Sequence, residues 1–255
     1  MFNYIRAFYR FTLFILVLTF YVVRLLITGL FKGMSLDLGL RHRHQCCLTM
    51  MKVLNIDVQT KGKIYEGNYL YISNHRCYLD PIAQLTKMTA LPVAKAEVEK
   101  LPIMGYGAKI TGVHYVQRES LKSRKETRSS IAETIENGRS ILIYPEGTTF
   151  NTPTTGDFKP GTFRMAAQNK VKIIPIAIEY GEVEDAWVGP DKMFVHFLKQ
   201  YGKTNKKIRI HYGDPMWMED GDELLKAVRT WIDEQLIEWR KELNLPLVRI
   251  EGEKD

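Results

Sequence analysis

The sequence predicts an α/β protein in which helices flank a mixed central sheet, preceded by an N-terminal helical membrane anchor. Three observations lead to this fold class: an apolar run near the start, short β-rich runs that alternate with helical patterns, and an amphipathic terminal helix. With 255 residues, 45% of them apolar, the chain is long enough for one α/β domain with a full core. We therefore assign residues 1–56 to the anchor and residues 57–255 to the α/β domain.

The apolar run extends from Phe11 to Phe31 and contains one charged residue, Arg24. At about 1.5 Å per residue, a helix of this length would just cross a hydrocarbon core of about 30 Å. Because a charge at the centre of a span costs about 3 kcal/mol, we favour a tilted or half-buried anchor over a simple crossing. A cleavable signal peptide is disfavoured, since no small-residue cleavage pattern follows the run.

The net charge of +7 is concentrated beside this apolar run. Residues 1–50 contain one acidic side chain, Asp37, and the basic side chains Arg6, Arg10, Arg24, Lys32, Arg41 and Arg43. Each basic residue near an anionic leaflet contributes about 1 kcal/mol of attraction, so we expect a membrane surface as partner and no nucleic acid. The expected location is the cytoplasmic face of the inner membrane. Residues 33–56 predict an amphipathic helix that could face either the membrane or the core.

After residue 60 the pattern alternates between strands and helices, as in a sheet with helices on its faces. The predicted strands are NYLYIS, LPVAKA, VHYVQR, SILIYPE, KIIPIAIEY, MFVHFLK and KIRIHYG. The predicted helices are PIAQLTKM, EVEKLPIMGYGAKI, SLKSRKETRSSIAETIENG and GTFRMAAQNK, followed by a terminal helix from about residue 222 to 243. The terminal helix keeps a 3.6-residue apolar period, so we expect it to cover the sheet.

The spacing of the cysteines and the absence of common catalytic motifs exclude several classes of protein. Cys46, Cys47 and Cys77 have neither a disulfide-framework count nor metal-ligand spacing, and we expect no metal and no cofactor. The chain contains no G-x-S-x-G, no Walker loop and no G-x-G-x-x-G after a strand. A covalent serine mechanism is therefore disfavoured.

The segment SNHRCYLDP places His75 and Asp80 between a strand and a helix. Asp80 before Pro81 is a routine helix start, with aspartate as N-cap and proline in the first turn, so Asp80 alone needs no catalytic role. As a pair, a carboxylate that accepts the Nδ1–H of a histidine would leave Nε2 free to take a proton from an alcohol. The pair is therefore a candidate general base.

Other polar residues follow strands at the sheet edge where α/β folds build their sites. The turn after SILIY contains Glu146, Gly147 and Thr148, which could position a polar headgroup, although a plain surface turn is the alternative. Arg118 ends the strand VHYVQR and Lys95 ends LPVAKA, and such cations could receive phosphates of a substrate or a carrier.

Four blocks, in order, resemble the PlsC-type glycerolipid acyltransferases typified by 1-acylglycerol-3-phosphate acyltransferase. They are NHRCYLD (74–80), GVHYVQR (112–118), YPEGTT (144–149) and KIIPIAI with Pro175. The resemblance covers about residues 60 to 215. It implies transfer of a fatty acyl group from acyl-CoA or acyl carrier protein, as co-substrate, to the free sn-2 hydroxyl of lysophosphatidic acid in phospholipid biosynthesis.

The resemblance also implies a role for each site residue. His75 would be the general base and Asp80 would orient it. The acceptor would be bound by Arg118, Glu146, Gly147, Thr148 and Lys95, and Pro175 would belong to the region that meets the acyl donor. No nucleophilic side chain is required, because a positioned base contributes about 10²- to 10⁴-fold in rate and the joint binding of both substrates supplies more.

One departure from the family pattern bears on the acceptor. Thr149 stands where the simplest members have the arginine of Gly-Thr-Arg-Ser, so one expected phosphate-binding arginine is absent. A lysophosphatidylcholine-like or amino-acid-containing lysolipid is the alternative acceptor. An inactive membrane-binding module and a hydrolase that uses the same base on water are the alternatives from other classes.

Overall fold

The computed structural model of the chain describes residues 2–117, 121–189, 191–204 and 206–248. Its strands are β1 (Ile56–Gly62), β2 (Leu70–Ser73), β3 (Leu91–Lys95), β4 (His114–Val116), β5 (Ile141–Ile143), β6 (Ile173–Tyr180) and β7 (Lys206–Tyr212). Its α-helices are α1 (Phe2–Lys32), α2 (Leu36–Leu54), α3 (Asp80–Gln84), α4 (Met104–Ile110), α5 (Leu121–Glu136), α6 (Gly161–Gln168), α7 (Met193–Gln200) and α8 (Gly221–Glu242). Two 3₁₀ turns span Ala96–Lys100 and Val183–Asp185.

The strands form one mixed sheet in the order β1-β7-β6-β2-β5-β3-β4. Neighbouring strands are parallel except for the antiparallel pair β6 and β7. One face packs mainly on α1, α2, α3 and α7, and the other on α5, α6 and α8. The predicted fold class is confirmed: a mixed sheet with helices on both faces, preceded by a long apolar helix.

The helix α8 covers the sheet as its sequence period predicts. The side chains of Leu224, Val228, Ile232 and Leu236 are all fully buried. Asp220 precedes the helix and its carboxylate accepts the N–H groups of the first turn, which stabilises the helix start. The strand β6 is buried along its whole length, as expected for a central strand with helices on both sides.

Two predicted elements differ from the structure. The run MFVHFLK was predicted as a strand, but it forms the helix α7. Phe194 and Phe197, three residues apart, then lie on the same side of the helix and both contact Phe11 of α1. The predicted helix EVEKLPIMGYGAKI is divided into a 3₁₀ turn and α4 because Pro102 interrupts it.

The strand β1 was not predicted from the sequence. It lies at the edge of the sheet, and most of its side chains are exposed, so it lacks the alternating apolar pattern of a half-buried strand. The preceding helix α2 packs in the core beneath the sheet, which decides between the two orientations left open for residues 33–56. The division of the chain between residues 56 and 57 stays a prediction.

The helix α1 has the length and apolar composition needed to cross a membrane, and only 17% of its most apolar window is buried. Most of its outward side chains are apolar. They are Phe2, Tyr4, Ile5, Phe8, Tyr9, Leu16, Phe20, Val23, Ile27, Leu30 and Phe31. Arg24 is exposed and its guanidinium lies over the ring of Tyr21. A lipid surface is one environment that would cover these side chains, so the membrane anchor stays a prediction supported by this face.

Part of the N-terminal positive charge serves the fold and not a lipid surface. The guanidinium of Arg10 is buried and donates to the carbonyls of Tyr201 (2.8 Å) and Lys203 (2.7 Å), just after α7. A cation at a helix C-terminus is favourable because the last carbonyls have no partner within the helix. Arg43 likewise donates to carbonyls inside the protein, and burial lowers its pKa to about 10. Arg24, Lys32 and Arg41 remain exposed for an anionic leaflet.

Candidate active site

The parallel strands β2 and β5 are neighbours, so the loops at their carboxyl ends meet at one edge of the sheet. The first of these loops contains His75 and the second contains Glu146. Asn74 fixes the first loop, because its side chain accepts the N–H of Ile178 (2.8 Å) and donates to the carbonyl of Ile178 (2.9 Å). The side-chain amide thus continues the pairing of β2 with β6 for one more residue.

His75 and Asp80 form a direct hydrogen bond, with 2.7 Å between Nδ1 and Oδ2. The side chain of Asp80 is fully buried, whereas that of His75 is 19% exposed. The imidazole stacks on the ring of Tyr144 at 4.2 Å, and the Tyr144 hydroxyl donates to Gln84 Oε1 (2.7 Å). Within the described residues, no group hydrogen-bonds to Nε2 of His75. This nitrogen is therefore available to an incoming hydroxyl.

The carboxylate of Asp80 is surrounded by donors, which fixes its role as an acceptor. Oδ2 accepts the backbone N–H of Arg76 (2.6 Å) and of Cys77 (2.9 Å), and Oδ1 accepts the hydroxyl of Tyr180 (2.8 Å). A carboxylate held in this way can only accept from His75, so Nδ1 carries the proton and Nε2 has the free lone pair.

The N-cap interpretation of Asp80 was wrong. Leu79 is the residue before the helix, and its carbonyl accepts the N–H of Ala83 (2.9 Å). The backbone donors to the Asp80 carboxylate, Arg76 and Cys77, precede it in the chain, so its side chain organises the loop that contains His75 and does not cap α3. The proline after Asp80 does lie in the first turn of α3, as expected.

Glu146 is buried and acts on the backbone of the His75 loop. Its Oε2 accepts the N–H of His75 (2.5 Å), and its Oε1 accepts the N–H of Gly156 (2.8 Å). Burial raises the pKa of Glu146 to about 7, while the positive charge of Arg76 and the two N–H donors act in the opposite direction. Both oxygens are thus occupied within the protein, and the predicted contact of Glu146 with the acceptor remains a prediction.

Titration of Glu146 is expected to make the protein less stable as the pH rises. Its pKa is about 7 when folded against an ordinary 4.5, so the folded state binds more protons between these pH values. The free energy of unfolding should then fall by up to about 1.4 kcal/mol per pH unit in that interval. Urea unfolding of the full chain in mild detergent, at several pH values from about 4 to 8, measures this slope. Glu146→Gln should remove part of the slope, and equal slopes in both proteins would refute the assignment.

The structure describes three of the four other residues that were predicted to bind the acceptor. Gly147 has a φ of +78°, which allows the tight turn after Glu146, and Thr148 is exposed. Lys95 is exposed at the end of β3, opposite Val116, on the same sheet edge. Arg118 lies outside the residues that the structure describes.

Pro175 lies inside the sheet and not at the edge where His75 is found. It is buried in β6 opposite Ile72, and its carbonyl accepts the N–H of Gly213 (2.9 Å). The regular antiparallel pairing of β6 with β7 ends at Ile176 opposite Tyr212, so the missing N–H of proline lies just outside that ladder, before a single bridge between Ile173 and Met216. Its assignment to the acyl-donor region stays a prediction.

Two further properties bear on the chemistry of this site. Cys77 is adjacent to the pair, but it is fully buried and burial raises its pKa to about 12, so its thiol is poorly suited to act as a nucleophile. Within the described residues, no group of three or more His, Cys, Asp or Glu side chains is arranged to hold a metal ion.

Sequence reasoning missed several residues that hold the loop in place. The ring of Tyr144 and the hydroxyl of Tyr180 touch the pair directly. Arg76 and Arg240 both donate to the buried carboxylate of Glu179. A signal existed for Glu179, since a carboxylate within the apolar run KIIPIAIEY must find a cationic partner if the strand is buried. Nothing local distinguishes Arg240 from the other charged residues of α8.

Comparisons with known proteins identify relatives. A family model described as Acyltransferase matches residues 55–179, which contain all four sequence blocks. The lyso-ornithine lipid O-acyltransferase of Pseudomonas aeruginosa is 31% identical over 170 residues, 64% of this chain and 65% of that protein. The 1-acyl-sn-glycerol-3-phosphate acyltransferase of Saccharomyces cerevisiae is 27% identical over 142 residues, 52% of this chain and 47% of that protein. The chain thus spans less than two thirds of either relative.

A solved structure has the same fold over nearly the whole chain. It is the 1-acyl-sn-glycerophosphate (LPA) acyltransferase PlsC from Thermotoga maritima, with a TM-score of 0.74 and 18% identity. The match covers 93% of this chain and 96% of that one. The matched family model and the four blocks within it lead to one conclusion: the chain belongs to the acyltransferase family.

Proposed function

We propose that this protein transfers a fatty acyl group from acyl-CoA or acyl carrier protein to the free hydroxyl of a lysolipid at a membrane surface. The observation that supports this proposal best is the His75–Asp80 pair, in which the buried carboxylate holds Nδ1 and the free Nε2 belongs to a partly exposed ring. Membership of the acyltransferase family supports the same reaction class.

In the proposed reaction, Nε2 of His75 takes the proton of the lysolipid hydroxyl as its oxygen attacks the thioester carbonyl. A C–O ester bond forms and the C–S bond breaks. The departing thiolate takes the proton from the imidazolium, which Asp80 stabilises until then. The chain supplies the base and the positioning of both substrates, and no acyl-enzyme is needed.

The proposed location is a membrane surface at the cytoplasmic face. The exposed apolar face of α1 would enter the leaflet. Through Phe11, α1 packs on Phe197 of α7. The preceding residue of α7, His196, has its Nδ1 3.2 Å from the hydroxyl of Tyr78 in the loop that contains His75. A lipid acceptor could thus keep its acyl chain in the leaflet while its hydroxyl reaches His75.

Two acceptors follow from different observations. Lysophosphatidic acid, acylated at its sn-2 hydroxyl, follows from the four blocks. An amino-acid lysolipid is favoured by Thr149, whose hydroxyl donates to the carbonyl of Trp187 where an arginine would have offered a phosphate ligand. The similarity to a lyso-ornithine lipid acyltransferase supports the same alternative.

A panel of acceptors tests the proposal. The full chain in mixed micelles is given acyl-CoA with lysophosphatidic acid, lysophosphatidylcholine or lyso-ornithine lipid, and diacyl product is measured. We expect product from at least one acceptor. Thr149→Arg should raise the ratio of kcat/KM for lysophosphatidic acid over lyso-ornithine lipid about tenfold, because a charged hydrogen bond contributes about 1.5–3 kcal/mol. Thioester loss without an acceptor would instead indicate a hydrolase, and liposome binding without product an inactive module.

A further inference from the structure

Three buried charged side chains form a cluster next to the catalytic loop, which we call the ion cluster: Arg76, Glu179 and Arg240. Their exposed fractions are 0%, 3% and 1%. Oε2 of Glu179 accepts from Arg76 Nη2 at 3.0 Å and from Arg240 Nε at 2.8 Å. The ion cluster thus connects the loop after β2, the end of β6 and the last turn of α8.

The ion cluster also binds the loop that follows Glu146. Arg76 Nη1 donates to the carbonyl of Phe150 (3.0 Å), and Arg240 Nη2 donates to the carbonyl of Asn151. The N–H of Phe150 in turn donates to the carbonyl of His75 (2.9 Å). The side chain of Arg240 therefore holds a loop segment whose neighbouring residue is bonded directly to His75.

Together with the bonds to Glu146 and Asp80, these contacts fix the backbone of His75 and Arg76. The N–H of His75 donates to Glu146 and its carbonyl accepts from Phe150. The N–H of Arg76 donates to Asp80 and its carbonyl accepts the N–H of Trp187 (2.8 Å). The backbone N–H and carbonyl groups of both His75 and Arg76 are thus hydrogen-bonded. A displacement of residues 150–151 would remove one of the bonds that determine where the imidazole lies.

Stability alone does not explain such a cluster. Within the ion cluster two guanidinium groups face a single carboxylate, and Nε of Arg76 has no hydrogen-bond partner among the described residues. Buried ion pairs are frequently no more stabilising than well-packed apolar side chains of similar volume. A fixed geometry at the neighbouring loop is a benefit that apolar side chains would not supply.

We propose that Arg240, through Glu179 and the carbonyl of Asn151, is a positioning residue for His75, an inference that rests on the proposed function. Among the described residues, the side chain of Arg240 hydrogen-bonds to Glu179, Asn151 and Pro246 and not to His75 or Asp80. It holds the loop 150–151, which holds His75, from a helix that none of the four sequence blocks includes.

The test compares three variants of the full chain. Arg240→Met removes the contacts to the loop but leaves Arg76 and Glu179 as a balanced pair, so the fold keeps no unpaired carboxylate. Arg240→Lys keeps the charge with fewer donors. Arg209→Met is the matched control, because Arg209 also binds α8, donating to Glu242 at 2.5 Å, but makes no side-chain hydrogen bond to the loop 150–151 among the described residues.

We expect Arg240→Met to lower kcat about 10- to 100-fold with KM changed less than about threefold, because a small misplacement of a catalytic group can cost about 10²-fold in rate. Arg240→Lys should recover part of kcat, and Arg209→Met should stay within about twofold of the wild type. Wild-type kcat in Arg240→Met, or an equal loss in Arg209→Met, would overturn the proposal.

Amide hydrogen exchange provides a readout that does not depend on turnover. In Arg240→Met, peptides that contain the N–H groups of His75 and Phe150 should exchange faster, while the interior of α8 around Val228 stays protected. Unchanged exchange at both N–H groups, or faster exchange throughout the sheet, would overturn the inference. Failure of the proposed function is distinguishable, because it would appear as absence of acyl transfer in the wild type.

Discussion

Replacing His75 with alanine is expected to lower the rate of acyl transfer about 10²- to 10⁴-fold without unfolding the protein. The imidazole supplies the free Nε2, so its removal takes away the proposed base for the acceptor hydroxyl. The backbone N–H of residue 75 keeps its bond to Glu146, and the lost ring was partly exposed, so the loop should keep its course. Diacyl product formation and thermal unfolding of the variant measure the two effects.

A second histidine provides the control for this experiment. His211 is half-buried and hydrogen-bonded to Gln235, on the opposite face of the sheet from the pair. His211→Ala should retain most of the activity, although its stability can fall with the loss of contact to Trp231. Undiminished turnover in His75→Ala would show that this residue is not the base.

Replacing Asp80 with asparagine is expected to lower kcat by about 10²- to 10⁴-fold. The amide is nearly the same size, and its nitrogen can face Tyr180, whose hydroxyl can rotate to accept. The amide oxygen can then keep the backbone N–H groups of Arg76 and Cys77. What is lost is the negative charge that stabilises the imidazolium of His75.

The free energy of unfolding distinguishes the loss of the negative charge from disruption of the loop that contains His75. Asp80→Asn should lower the free energy of unfolding by about 1–3 kcal/mol, since the buried hydrogen bonds to this acceptor persist but lose its negative charge. Asp80→Ala should lower it more, because it removes the acceptor of two buried backbone N–H groups, and urea unfolding compares the two variants. Full activity in Asp80→Asn would show that the carboxylate does not act on His75.

The elements with a strong local period could be predicted from the sequence, and those decided by distant contacts could not. The helix α8 repeats apolar residues every three or four positions, and the buried strand β6 is a continuous apolar run. The run MFVHFLK has strand-forming residues, yet its contacts with Phe11 and Phe14, far earlier in the chain, favour a helix. The edge strand β1 has too few buried residues to show a period.

In the candidate site, too, the features encoded by local spacing could be predicted, and those that depend on distant contacts could not. His75 and Asp80 are five positions apart, so their spacing indicated a pair, and the structure has the hydrogen bond that this pair requires. The bond from the N–H of His75 to Glu146 and the connection of Arg240 to Asn151 join residues far apart in the chain, which no local pattern encodes. The internal use of Arg10 was hidden for the same reason, since its partners follow α7.

The central claim is that His75 activates the lysolipid hydroxyl for direct attack on the thioester. Initial velocities of the full chain in mixed micelles, with acyl-CoA and lysolipid varied together, test it most directly. Direct transfer requires both substrates to be bound at once, so we expect intersecting lines in double-reciprocal plots and no acyl group on the protein when acceptor is omitted. Parallel lines, with labelled acyl group covalently held by the chain, would contradict it.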